Sequence, residues 1–286
     1  MKLQGRVMDR YLHERYFQKD NPDLGRVHSI FQSVINVETA GGEIFALSHI
    51  RDAYMPYMVQ VKETDDFLLE EKLQGEKVIY KDGRMSIGTD AEIKVGEIEI
   101  IDRAFKDIKR TDNLSECIET ARNILLETGK RGGCLGYFGR YPDMDLMEKE
   151  LAKRIASLET TMEFGRLIGF GRGLTPSGDD FSVGFLCAVR SIRTLNIETE
   201  IALEIMTKEL KYAIGRVGYN TTDVSRQMLR QSLDDQFIGP LMDLCECIIR
   251  GESPAACKDS MVKLLNIGST SGTDMATGVI FALERA

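Results

Sequence analysis

The sequence predicts an α+β protein, in which an N-terminal β-rich domain, a small barrel or sandwich, precedes a larger all-helical domain. Short alternating strand patterns occupy residues 27 to about 103, and helical periodicity replaces them after residue 110. Two of the helical segments are apolar on nearly all sides, as expected of central, buried helices. We therefore divide the chain into residues 1–110 and 111–286, with the boundary within 105–112.

The β-rich domain is predicted to begin with a short helix over residues 8–19 and to continue as strands. Asp82-Gly83 stands between two alternating apolar segments and is a favoured two-residue turn, so residues 77–87 predict a hairpin. The predicted strands outside this hairpin are 27–37, 44–47, 57–61, 93–95 and 98–100.

The helical domain is predicted to open at Asn113, because the spacing Asn113-x-x-Glu116 is typical of a capping box. A glycine-rich loop over residues 129–139 follows the first helix, and this loop either holds a ligand or simply ends the helix. The predicted helices are 113–128, 145–168, 179–195, 198–215, 222–234, 238–250, 255–266 and 273–285.

Composition limits the classes of function. The 286 residues carry a formal charge of −8, which argues against a nucleic-acid partner because no basic excess exists to neutralise phosphates. No apolar run approaches the roughly 20 residues that span a bilayer, and the chain begins without an apolar signal segment, so we expect a cytoplasmic protein with no membrane partner. The six cysteines show no Cys-x-x-Cys spacing, and we expect buried, reduced thiols.

The most informative feature is a repeat of the pattern Ser-Gly-x-Asp-x-x-x-Gly. It runs from Ser177 to Gly184 and again from Ser271 to Gly278, with the two serines 94 residues apart. Each copy places a hydroxyl, a glycine and a carboxylate at the start of one of the apolar helices. Helix starts offer backbone N–H groups and a positive dipole end, which suit anions. The repeat therefore predicts a binding site for a small anion.

A purely structural interpretation of the repeat stays open. Ser177 with Asp180, and Ser271 with Asp274, have the spacing of capping boxes, which would leave a pair of capped core helices and no site. In a ligand site, these carboxylates would repel a bare anion. We therefore expect them either to hold Mg²⁺ or to accept hydrogen bonds from an amide or carbamoyl NH₂ group.

The candidate site residues come from the two repeats, from the glycine-rich run before the first, and from a cluster over residues 218–226. That cluster is equally well explained as a solvent-facing helix start. The predicted catalytic residues are Asp179, Asp180 and Asp274, with Asp180 and Asp274 as candidate Mg²⁺ ligands. The predicted ligand-binding residues are Gly171, Arg172, Gly173, Thr175, Ser177, Gly178, Thr222, Ser225, Arg226, Ser271, Gly272 and Thr273.

Nucleophilic catalysis has little support in the sequence. His28 enters a predicted strand, where a lone histidine is more often structural than catalytic. Cys134 lies in the glycine-rich loop without an identified base. Thr273 occupies the position that Asp179 has in the first repeat, so we expect the two repeats not to be equivalent.

The run from Gly169 to Gly184, centred on Leu-Thr-Pro-Ser-Gly-Asp-Asp, resembles the signature of a bacterial family that includes a subunit of oxamate carbamoyltransferase from allantoin catabolism. Thr222-x-x-Ser225 and residues 269–274 are similar to its other recurrent segments. The resemblance covers residues 160–286, and the β-rich domain more loosely. It implies conversion of oxalurate and phosphate to oxamate and carbamoyl phosphate, performed together with two other subunits.

Three hypotheses follow. The first is an enzyme subunit that binds a carbamoyl- or phosphate-type anion, with other subunits as partners and with homo-oligomers expected. The second is a non-catalytic scaffold or a regulatory subunit that binds a metabolite, because the helical domain lacks an evident nucleophile. The third is the structural pair of capped helices.

Overall fold

The computed structural model forms two compact units, residues 1–104 and 105–286. It describes residues 2–31, 34–49, 54–62, 73–105, 108–139, 141–192 and 197–286, with only the backbone of residues 197–200 and 219. Strands dominate the first unit and helices the second, so the predicted α+β class is confirmed.

The N-terminal unit is a barrel of eight strands, in the order β1-β5-β4-β3-β2-β6-β7-β8, which closes where β8 pairs with β1. A ninth strand, β9, continues beyond β8 and pairs with the second half of β1. The strands are β1 (Lys2–Asp9), β2 (Asn21–Phe31), β3 (Val34–Thr39), β4 (Ile44–Ser48), β5 (Met58–Val61), β6 (Lys77–Lys81), β7 (Arg84–Ile87), β8 (Ala91–Lys94) and β9 (Glu99–Ile101).

Apolar side chains from the strands fill the barrel. Val37, Val59, Met85 and Ile93 are completely buried and belong to one continuous hydrophobic cluster. Strand residues alternate between the two faces of a sheet, so a closed barrel needs only every second residue to be apolar.

Two local predictions in this unit are wrong. Residues 8–19 are not one helix, because β1 extends to Asp9 and a short helix, α1, covers only Arg10–Tyr16. Residues 27–37 are not one strand, because β2 and β3 form an antiparallel pair in which Val27 faces Val37. The sequence does not signal this reversal, because apolar alternation continues through both strands without an intervening Gly or Pro. Residues 32–33 of the predicted strand lie outside the described part. The hairpin turn at Asp82-Gly83 is confirmed, with φ of 50° and 73°.

The second unit contains the predicted helices with small shifts at their ends. The helix predicted over residues 145–168 ends at Thr161, because Met162 adopts a left-handed conformation with φ of 54°. Residues 193–195 of the predicted 179–195 helix lie outside the described part. The helices are α2 (Leu114–Thr128), α3 (Leu146–Thr161), α4 (Ser177–Ser191), α5 (Ile197–Val217), α6 (Asp223–Leu233), α7 (Gly239–Arg250), α8 (Pro254–Leu265) and α9 (Ser271–Leu283). Across the described residues, no helix has the length and apolar character needed to cross a membrane.

The two apolar helices, α4 and α9, form the centre of this unit, as predicted. Their closest contacts are reciprocal. A Cβ atom placed on Gly184 would lie 2.0 Å from the carbonyl oxygen of Met275, and one placed on Gly278 would lie 2.0 Å from that of Phe181. Both glycines close the repeated motif, and Phe181 and Met275 are also equivalent in the repeat. The two copies therefore pack around a local pseudo-twofold axis, with their backbones in direct contact.

We predict that Gly184→Ala and Gly278→Ala each lower the free energy of unfolding by about 1–3 kcal/mol, because the added methyl group overlaps backbone that cannot easily move. Urea denaturation monitored by helical circular dichroism measures this change.

Gly215→Ala is the matched control. Gly215 is an exposed residue of α5, and a Cβ atom there meets nothing within 4 Å. Alanine should stabilise this helix by roughly 0.5–1 kcal/mol. Equal effects at Gly184 and Gly215 would contradict the close helix contact.

Candidate functional site

The N-terminal ends of α4 and α9 meet. The Thr175 hydroxyl, just before α4, lies 3.0 Å from the hydroxyl of Ser271, the first residue of α9. It also donates a hydrogen bond to Asp180 Oδ2 at 3.1 Å. Thr175 and Ser271 are half-buried, whereas Asp180 is completely buried. Both helices therefore direct their positive ends towards one cluster of hydroxyl and carboxyl groups.

A glycine-rich loop positions the first turn of α4. Gly169, Gly171 and Gly173 all have positive φ, at 76°, 137° and 88°. A Cβ atom on Gly171 would lie 2.3 Å from the backbone nitrogen of Ser177, so the loop passes directly against the helix start. The N–H of Gly178 donates to the carbonyl of Phe170 at 2.9 Å, which already engages one of the N–H groups at this helix end.

The capping-box interpretation is wrong at both repeats. Pro176 and Thr270 occupy the capping positions and make no side-chain capping bond, while Ser177 and Ser271 are the first helical residues. The carbonyl of Pro176 accepts from the N–H groups of Asp179 and Asp180 instead. A similar correction applies to α2, which starts after Asn113 as predicted but without the predicted side-chain cap.

Asp180 and Asp274 form a pair of buried carboxyl groups between the helix ends. Both have no exposed surface. Asp274 Oδ1 accepts the N–H of Cys134 at 2.5 Å. Among the described residues, Asp180 Oδ1 and Asp274 Oδ2 have no hydrogen-bond partner. Buried carboxyl oxygens are usually paired, so each of these atoms is an unmet acceptor or the site of a proton.

The pair favours its protonated forms. Burial raises the pKa of Asp180 well above its ordinary value and the nearby Asp274 carboxylate raises it further, while the hydroxyls of Ser271 and Thr175 oppose this change. Burial raises the pKa of Asp274 to about 6, although hydrogen bonds from the Cys134 N–H and the Ser177 hydroxyl lower it. Two carboxylates this close cannot both ionise cheaply, so ionisation of one acid raises the pKa of the other.

Asp179 points away from this pair. Its carboxylate accepts the N–H of Gly169 at 2.7 Å, the hydroxyl of Ser225 at 2.6 Å and the hydroxyl of Thr221. Burial raises the pKa of Asp179, and these donors oppose the rise. The side chain therefore ties the glycine-rich loop to the start of α6.

The cluster over residues 218–226 supports the same loop. Thr222 caps α6 by accepting the N–H of Ser225 at 3.1 Å, and its hydroxyl donates to the carbonyl of Leu174. Arg226 binds the carbonyls of Gly218 and Thr221 at 3.1 and 3.3 Å. These contacts account for an arginine in the first turns of a helix, where the dipole disfavours it.

Arg172 and Gly173 lie on the surface above α4. The Arg172 side chain is 62% exposed and forms an ion pair with Asp145 at 2.7 Å. A Cβ atom on Gly173 would meet nothing within 4 Å. The space outside this part of the loop is therefore open.

The loop over residues 129–139 contributes contacts that the sequence indicated only through its glycines. A Cβ atom on Gly133 would lie 2.1 Å from Asp274 Oδ1. The N–H of Lys130 donates to Thr273 Oγ1 at 3.0 Å, and its ammonium group donates to the carbonyl of Gly268 at 3.0 Å. Lys130 is thus a cation beside α9 that the sequence analysis missed.

Two weaker candidates have structural surroundings. Cys134 is completely buried, its thiol donates to the carbonyl of Ser177 at 3.3 Å, and burial raises its pKa well above the ordinary value. Such a thiol is a poor nucleophile. His28, in the N-terminal unit, contacts the hydroxyl of Ser29 at 3.1 Å.

Metal binding would rest on two carboxylates. No cluster of three or more His, Cys, Asp or Glu side chains suited to a metal occurs within the described ranges. Mg²⁺ bound through one or two carboxylates usually keeps water or substrate oxygens as its remaining ligands.

Two family models match the chain and together cover most of it. Residues 167–283 match the model of the oxamate carbamoyltransferase subunit AllH, and residues 4–100 match the AllH family N-terminal domain. The chain belongs to the AllH family. The AllH match contains the glycine-rich loop that precedes α4 and both repeats. It gives no support to the alternative of a non-catalytic scaffold. No curated protein and no solved structure matches the chain.

The raised pKa of Asp274 predicts a pH dependence of stability. The folded state holds the proton of Asp274 more tightly than the unfolded state does. This proton therefore stabilises the fold fully below pH 3.8, and the stabilisation is lost as the pH rises through about 6. This difference corresponds to about 3 kcal/mol. We compare the free energy of unfolding of Asp274→Asn with that of the wild type at each pH. The variant's value minus the wild-type value should rise by about that amount between pH 4 and pH 8.

The control is Asp259→Asn, which replaces an exposed carboxylate on α8. Its unfolding free energy should follow the wild type at every pH. If Asp274→Asn also runs parallel to the wild type, the buried proton does not exist.

Proposed function

We propose that this chain acts as a subunit of an oxamate carbamoyltransferase and binds the carbamoyl-bearing substrate where α4 and α9 meet. The observation that supports this most strongly is the pair of buried carboxyl groups, Asp180 and Asp274, each with one oxygen that lacks a partner. A single unmet acceptor is unusual in a folded core, and two of them at convergent helix ends favour a ligand that donates hydrogen bonds.

The half-buried hydroxyls of Thr175 and Ser271 would meet the ligand first, with Asp180 directly behind them. An amide NH₂ group supplies two donors, which suit hydroxyl and carboxylate acceptors. The carboxylate or phosphate end of the same ligand would then face outwards, towards Lys130 and Arg172, where positive charge offsets its own. Because Asp180 and Asp274 have no exposed surface, the loops around them would have to move to admit the ligand.

The amide interpretation is preferred to Mg²⁺ for this pair. Mg²⁺ binds ionised carboxylates, whereas burial and mutual repulsion raise the pKa of both acids and so oppose ionisation. An amide ligand can be bound by a pair that retains one proton. Mg²⁺ brought in with a phosphate ligand stays the second candidate.

The predicted residues would divide into two roles. Thr175, Ser177, Asp180, Ser271 and Asp274 would contact or orient the reacting carbamoyl group. The positioning residues would hold the loops around it, as a ligand site on a preorganised frame requires. These positioning residues are Gly171, Gly178, Asp179, Thr222, Ser225, Arg226, Gly272 and Thr273.

The description of the family as a subunit supports other enzyme subunits as partners. Membership of the same family supports a role in allantoin-related metabolism. A homo-oligomer and a cytoplasmic location stay predictions from the sequence.

The test is the carbamoyltransferase activity of the complex reconstituted with its partner subunits. We expect Asp180→Asn and Asp274→Asn to lower kcat about 100-fold or more, as loss of a preorganised polar group at a reacting centre commonly does. Asp259→Asn, which makes the same change on the surface, should keep full activity.

Circular dichroism and assembly with the partners must be normal for each variant. Full activity of both core variants would refute this assignment of the site. Full activity of the partner subunits without this chain would refute its role in the reaction.

A further inference from the structure

The outward side of α5 carries a stripe of exposed apolar side chains. Ile201, Ile205 and Tyr212 are 52%, 43% and 59% exposed, and they make up three of the seven large apolar side chains exposed in the described ranges. Leu203 and Leu210, on the opposite side of the helix, are buried. Single exposed apolar residues are ordinary, whereas several in line on one helix indicate a surface that another protein covers.

The stripe has the spacing of a coiled-coil seam. Its residues are Ile201, Ile205, Lys208 and Tyr212. Successive members are four, three and four residues apart, so at 3.6 residues per turn they lie within about 60° of arc. The same alternation relates the a and d positions of a heptad, along which two helices pack. Lys208 can take part, because its aliphatic stem covers apolar surface while its ammonium group reaches water.

Charged residues flank the stripe and limit how a second copy of α5 could pack on it. Exposed side chains of Glu204 and Lys211 lie on one flank, and those of Glu209 and Arg216 lie on the other. A parallel pair of α5 helices would place Glu204 near Glu209 of the second copy. It would also place Lys211 near Arg216, so both contacts would join like charges. One antiparallel register would place Lys211 against Lys211 and is disfavoured for the same reason.

The remaining antiparallel register matches opposite charges. We propose that α5 is a self-association surface, where a second copy of this chain binds through its own α5 around a twofold axis near the middle of the helix. In this register Glu204 lies opposite Lys211 of the second copy, and the symmetry forms that pair twice. Ile201 lies opposite Tyr212, also twice. No stripe residue belongs to the carbamoyl site proposed above, so this surface does not depend on that assignment.

The contact is expected to be weak and reversible. It is short, and the lysine in the seam fixes the register at a cost in stability, so we expect a dissociation constant on the order of 10 μM. Glu204 also pairs with Lys208 of its own helix at 2.7 Å, and in the dimer it would lie between two cations. Sedimentation equilibrium of the full-length chain between about 1 and 300 μM measures the dissociation constant.

Ile205→Lys tests the seam. In the proposed register residue 205 lies opposite Lys208 of the second copy, so the new lysine would meet a like charge. The dissociation constant should rise at least about tenfold, while helix propensity is not reduced. Val262→Lys is the matched control, because Val262 is 40% exposed on α8 and the same change there should leave the dissociation constant unaltered.

Charge reversal tests the register. Glu204→Lys and Lys211→Glu should each weaken self-association by about threefold to tenfold, because each change joins like charges at both symmetric pairs. Mixed in equal amounts, the two variants should associate with each other about as tightly as the wild type with itself. Circular dichroism checks that each variant keeps its helical content.

Three results would overturn the proposal. The first is a wild-type chain that stays monomeric up to about 300 μM, and loss of partner-subunit binding in Ile205→Lys would then assign the stripe to that subunit. The second is a dimer that Ile205→Lys leaves unchanged. The third is tighter self-association of Glu204→Lys, since this change relieves the repulsion from Glu209 that a parallel pair would contain. The wild-type measurement is decisive even if a variant folds poorly.

Discussion

The rest of the helical unit depends on the reciprocal contact between α4 and α9. Gly184 against Met275 and Gly278 against Phe181 bring two backbones into direct contact, which only residues without a side chain permit. This contact makes the helices run side by side from a common end. The meeting of Thr175 with Ser271, and the burial of two acids behind them, follow from it.

The third residue of the repeat supports a neighbouring loop in both copies, although its side chain differs between them. Asp179 accepts an N–H from Gly169 in the loop before α4, and Thr273 accepts an N–H from Lys130 in the loop beside α9. Each third residue of the motif thus anchors a glycine-rich loop. The fourth residue, Asp180 or Asp274, is a carboxyl group directed into the junction in both copies, at the cost of a raised pKa. Perturbed acids kept at one place by both halves are typical of functional sites.

Element types were predictable because apolar periodicity reports which face of a segment is buried, and the central helices α4 and α9 were evident from it. The repeat also singled out the residues of the candidate site, whose role in binding stays a prediction. The direction of each acid was not predictable, because Pro176 and Thr270 take the capping positions that the sequence assigned to Ser177 and Ser271. No local turn signal marks the reversal between β2 and β3. Strand β1 pairs with β5, which is distant in the sequence, so local pattern alone did not reveal it.

The most direct measurement of the central claim is the thermal stability of the full-length chain with oxamate and, separately, with oxalate, each with and without Mg²⁺. The two ligands differ in one amide group, so oxamate alone should stabilise the protein if the junction of α4 and α9 accepts an NH₂ group. At 100 times the dissociation constant the gain is about 2.7 kcal/mol, and Thr175→Val should abolish it. Equal stabilisation by oxalate, or an undiminished effect in Thr175→Val, would contradict the account.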